Sequence, residues 1–77
     1  MHTFRVAFRS FEDVRDFVFL ASARPYDIHV CSGNHCVDAK SMMVMLSLDY
    51  SRPLRVMASC DQEEFPRLLD AAARFRV

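Results

Sequence analysis

Glycine is almost missing from this chain. There is one in 77 residues, which argues against a loop-rich or disordered polypeptide. Long apolar runs are missing too, and none approaches the roughly 18 residues of a bilayer-spanning helix. The opening Met1-His2-Thr3-Phe4-Arg5-Val6 holds no apolar core of signal-peptide length, so a cytoplasmic protein without membrane insertion is expected. Neither sign of charge is in excess: ten Lys and Arg face ten Asp and Glu. That balance removes the electrostatic argument for nucleic acid or an anionic membrane as a partner. An even count of cysteines is also lacking. Cys31, Cys36 and Cys60 are an odd set without a secretion signal, and free thiols are the expectation.

The residues present suffice for one core. Apolar residues make up 52% of the chain, and its length implies a single domain over 1–77.

The pattern of apolar residues predicts seven elements. Thr3 to Arg9 alternates, with Phe4, Val6 and Phe8 on one side, as a half-buried strand does. Ser10, three residues before Asp13, resembles a capping box and opens a helix to about Ala23. Its apolar face is Phe11, Val14, Phe17, Val18 and Ala21, and Arg24-Pro25 ends it. Asp27 to Ser32 and His35 to Ala39 are strands joined at Gly33-Asn34, a pair suited to a type II′ hairpin turn. Ile28, Val30, Val37 and Ala39 point inward. A short helix runs from Ser41 to near Asp49. Leu54 to Ser59 is a fourth strand, with Leu54, Val56 and Ala58 inward. Asp61 starts a last helix carrying Phe65, Leu68, Leu69, Ala72 and Phe75, and Pro66 lies near its first turn. The order β-α-β-β-α-β-α, with one apolar face per strand, predicts an α+β sandwich: one antiparallel sheet with helices on one face.

The short helix is the unusual element. Ser41 is a good N-cap, yet Met42-Met43-Val44-Met45-Leu46 is apolar on every side. Such a helix is buried all round or exposes an apolar face, and a chain this short cannot easily surround one of its own helices. Helical spacing puts Met45 and Leu48 toward the core, with Met42, Met43 and Leu46 opposite as a docking surface. Phe19 stands on the polar side of the first helix and adds to that surface.

Ala39-Lys40-Ser41, Met42-Met43-Val44-Met45 and Ser47-Leu48 together resemble the centre of the HPr family. These are the small bacterial phosphocarriers of the sugar phosphotransferase system, active in sugar transport and carbon catabolite regulation. The resemblance extends more weakly over nearly the whole chain. It implies the HPr-like open-faced β-sandwich, with a four-stranded antiparallel sheet and three helices on one face. In the family, a histidine at the start of the first helix carries the phosphate, and an arginine two residues on helps hold it. Aligned through Phe17-Val18, those places fall on Ser10 and Glu12, and no histidine lies between Thr3 and Ile28. Serine has no ring nitrogen for a labile phosphoramidate, and glutamate repels phosphate. The resemblance thus implies a protein without phosphohistidine transfer, neither an enzyme nor a cofactor binder. It acts by docking proteins: phosphotransferase-system enzymes, a serine kinase or a transcription regulator. The family's regulatory phosphoserine falls on Ser41, where a phosphate would add roughly two negative charges. The plain alternative is a Ser41 that only caps its helix. A second alternative is a phosphocarrier with a non-standard acceptor at Ser10.

A separate constellation lies on the hairpin. With Gly33-Asn34 as the turn, Cys31 faces Cys36 and His29 faces Asp38, all on the face away from Ile28 and Val30. These four could hold zinc or form a redox pair, making a thiol or metal sensor, and the directly opposed cysteines are close enough to bridge if oxidised. A flat sheet face wraps poorly around a tetrahedral metal, so small exposed residues beside a His–Asp pair are the expectation.

Overall fold

The computed structural model describes all residues, Met1–Val77. Strand β1 spans His2–Val6, helix α1 Phe11–Ser22, β2 Ile28–Ser32, β3 His35–Asp38, α2 Met42–Leu46, β4 Leu54–Ala58 and α3 Glu64–Ala71, with a 3-10 turn at Ala73–Phe75. The sheet order is β1-β4-β2-β3, antiparallel at every junction. This is the α+β open-faced sandwich predicted above, with helices on one face and the other face bare.

The core forms where the alternating strands meet the helical stripes. Val6, Ile28, Val30, Val37, Ala39, Leu54, Val56 and Ala58 are buried from the sheet. Val14, Phe17, Val18, Ala21, Met45, Leu48, Leu68, Ala72 and Phe75 meet them from the helical layer. Phe8, Phe17 and Phe75 form an aromatic cluster with ring centroids 5.3–5.7 Å apart, a spacing that favours edge-on packing.

Several boundaries differ from expectation for local reasons. β1 stops at Val6 rather than Arg9. Its last partner is Leu54, and the residue before that is Pro53, which has no N–H to offer. The N–H of Ala7 instead donates to the carbonyl of Phe75 (2.8 Å), and that of Val77 to Arg5 (3.2 Å). The tail thereby covers part of the β1 edge. α3 begins late because Pro66 cannot donate to Gln62. Asp61 nonetheless opens this segment, its carboxylate accepting from the N–H groups of Glu63 (3.1 Å) and Glu64 (2.8 Å). Gly33 has φ +60° and Asn34 a negative φ, as a type II′ turn requires. No helix is long and apolar enough to cross a membrane.

Candidate functional site

The start of α1 is held shut by its own polar groups. Ser10 Oγ accepts from the Asp13 N–H at 3.3 Å. Asp13 reaches back past the cap to the Arg9 N–H (3.0 Å), one residue beyond the usual capping-box partner. Arg74 then clamps the turn from the far end of the chain, donating to Asp13 Oδ1 (2.9 Å) and Asp16 Oδ2 (2.7 Å). The Arg9 N–H, and after it Arg74, holds the Asp13 carboxyl below its ordinary range. Glu12 stands exposed beside it. The helix end that would attract an anion already carries two carboxylates.

The start of α2 is built differently. Ser41 takes the N-cap position with extended backbone, and its carbonyl accepts from the Met45 N–H (3.0 Å). Its hydroxyl makes no cap bond, contrary to the expectation from serine's preference. The preceding turn is fixed without it: Asp38 Oδ1 accepts from the Lys40 N–H (2.9 Å), and Lys40 Nζ donates to the Arg24 carbonyl (2.8 Å). Arg24 lies just beyond the C-terminal end of α1. Ser10 and Ser41 therefore sit toward opposite ends of α1, a helix length of roughly 18 Å at 1.5 Å per residue.

α2 is shorter than expected. Ser47 Oγ donates to the Val44 carbonyl (2.6 Å), and Leu48 turns into the core. Asp49 then accepts from both the N–H and the hydroxyl of Ser51, which lowers its carboxyl, the hydroxyl acting most strongly. A shallow depression lined by Leu48, Asp49, Tyr50 and Ser51 follows.

The apolar surface lies on the neighbouring helices α1 and α2. Met43 is 85% exposed, Phe19 61% and Leu46 42%, as the spacing predicted. Met42 departs from expectation: it is half-buried and packs on the core. It lies about 90° around the helix from the Met45–Leu48 stripe, at its edge rather than opposite. Val44 and Phe11, not assigned to this surface from sequence, are 38% and 44% exposed. By spacing, Phe11 belongs to the core stripe. It lies about 70° off the centre of the buried residues of α1, toward Phe19, and that angle is the signal that would have identified it.

The hairpin has the expected register, Cys31↔Cys36 and His29↔Asp38. The expectation of three free thiols is wrong. Cys31 and Cys36 form a disulfide, with Cα atoms 4.0 Å apart, because the register sets them directly opposite. Only Cys60 is free, and burial raises its thiol pKa. No three His, Cys, Asp or Glu side chains gather as a metal-binding group, since both hairpin sulfurs are bonded to each other.

No family model matches the chain, and no curated protein does either. Among solved structures it is similar to the crystal structure of HPr-C-His from Thermoanaerobacter tengcongensis, at a TM-score of 0.75 and 23% identity. The match covers 96% of this chain and 89% of that one. The chain has the HPr-like fold.

Proposed function

We propose that this is an HPr-like regulatory or adaptor domain, related to the sugar phosphotransferase system, that docks proteins without carrying phosphohistidine. The observation that carries this reading is the contrast within one HPr-like frame. At the start of α1, Ser10 is engaged as a cap and Glu12 and Asp13 repel phosphate. Farther along α1 and on α2, Phe19, Met43 and Leu46 are left in water. Large exposed apolar side chains on adjoining elements favour a protein partner, and Met42 would sit at the edge of the contact. Ser41, whose hydroxyl caps nothing, is the candidate for regulatory phosphorylation. A phosphate there would place charge next to Met42 and Met43 and change what docks.

The test pairs transfer with binding. The chain is incubated with phosphoenolpyruvate and the first enzyme of the phosphotransferase system, and affinity for that enzyme is measured in parallel. We expect binding without transferable label. Met43→Asp should weaken binding at least ten-fold, about 1.4 kcal/mol. Label that passes onward would establish a carrier, with Ser10 the first acceptor to examine.

A further inference from the structure

The bare face of the sheet carries a row of side chains that the docking reading does not use. Antiparallel register lines up Arg5, Arg55, Cys31 and Cys36 in one row across β1, β4, β2 and β3. Neither Arg5 nor Arg55 enters an ion pair. The two sulfurs of the row differ sharply in access. Cys31 is 2% exposed, whereas Cys36 is exposed on β3, the free edge of the sheet. Cys31 Sγ also has Met57 Sδ at 3.5 Å on its β4 side. As a disulfide sulfur it has no proton to donate, so this is a packing contact.

We propose that Cys31–Cys36 is a thiol–disulfide exchange site, attacked at Cys36 and releasing Cys31. A thiolate must approach in line with the S–S bond. For Cys36 that line leaves the molecule past the open edge of β3. For Cys31 it runs toward β4, where Arg55 is the register partner and Met57 Sδ packs at 3.5 Å. Attack at Cys36 forms a mixed disulfide and expels Cys31 as a thiolate. That thiolate lies next to the strand position of Arg55, and a cation beside a thiolate makes it a better leaving group. A second thiol then attacks the incoming sulfur, leaving as a disulfide with the first. The protein gains two electrons and two protons as Cys31 and Cys36 thiols, and two external thiols are oxidised. The reductant class is a small monothiol such as glutathione, or a dithiol protein. Breaking the bridge need not unfold the domain. It spans a sequence separation of 5, and the hairpin already closes that loop through its turn and ladder.

The experiment uses the full chain with Cys60→Ser, so that the third thiol cannot confuse the count. Oxidised protein is titrated with reduced glutathione, quenched with an alkylating agent and weighed, with circular dichroism followed in parallel. We expect two thiols to appear together while the fold signal is unchanged. A bridge that opens only when the protein unfolds would overturn the proposal. The attacked sulfur is identified with Cys31→Ser and Cys36→Ser, each exposed to oxidised glutathione. Cys36 should form the mixed disulfide at least ten times faster, and equal rates would overturn the assignment. Arg55→Gln should slow reduction of the bridge about three-fold through the leaving group. Arg5→Gln, one strand further away, should leave it unchanged, and equal effects would remove Arg55 from the mechanism.

Discussion

Two helices of this domain begin at a serine, and they handle their polar and apolar groups in opposite ways. α1 begins in a closed circuit. Ser10, Asp13, Asp16 and Arg74 satisfy one another, and the adjacent Phe17 is fully buried. α2 begins with an uncommitted hydroxyl and is only five residues long. It is held by what surrounds it: the Lys40 bond to Arg24, and Met45 and Leu48 in the core. Polar groups that are already paired are poor candidates for new chemistry, since any ligand must first displace a partner. By this measure the polar groups at the α1 start are already committed, whereas α2 carries Met43 and Leu46 exposed to water.

The largest effect separates the two faces of α2. Met45 is 1% exposed and Met43 85%, two residues apart in a helix of five. Met45→Ala should lower unfolding free energy by about 2–5 kcal/mol through the cavity it leaves. Met43→Ala should stay within about 0.5 kcal/mol while weakening any partner. Denaturant titration of both variants measures the difference. A Met43→Ala variant as unstable as Met45→Ala would mean that α2 has no free face.

The two serines give the next contrast. Ser10→Ala removes a cap bond that is long, at 3.3 Å, and should cost about 0.5–1 kcal/mol. Ser41→Ala removes no cap bond and should cost no more than a few tenths of a kcal/mol. Equal losses in chemical denaturation would show that Ser41 caps in solution after all, and would weaken its standing as a phosphate acceptor.

The fold was legible in the sequence because period-2 and period-3.6 patterns follow from burial, and burial is what the sheet and α1 obey. The register of the hairpin was legible from Gly33-Asn34 alone, because a two-residue turn fixes every pair beyond it. That register also brings Cys31 and Cys36 close enough to bridge on oxidation. Counting three cysteines suggested free thiols, yet direct opposition of Cys31 and Cys36 decides the bond locally, whatever the third one does. Phe11 and Met42 were assigned to opposite sides incorrectly for one shared reason. Each lies at the margin of its stripe, where pattern alone does not say how far the neighbouring layer reaches. The Arg74 clamp was invisible. It joins residues 61 and 58 positions apart, and it depends on the tail folding back along β1, which no local pattern announces.

The smallest expected effect is the dependence of the α1 start on pH. Asp13 has a lowered carboxyl in the folded state, the Arg9 N–H contributing most and Arg74 next. A depressed acid adds stability above its unfolded pKa, near the ordinary 3.8, and that stability is lost as pH falls through the folded value. Wild-type protein should therefore lose more stability than Asp13→Asn between about pH 6 and about pH 2.5. Arg74→Gln should flatten the profile less than Asp13→Asn, because it leaves the Arg9 N–H in place. Asp49 shifts in the same direction through Ser51, so Asp13→Asn keeps a residual slope that adding Asp49→Asn should reduce further. Helix α2 has no acidic residue in its first turn and should add nothing to this profile. Identical acid sensitivity in wild type and Asp13→Asn would mean that the circuit at the start of α1 is solvent-screened. The difference between the two serine-led helices would then rest on packing alone.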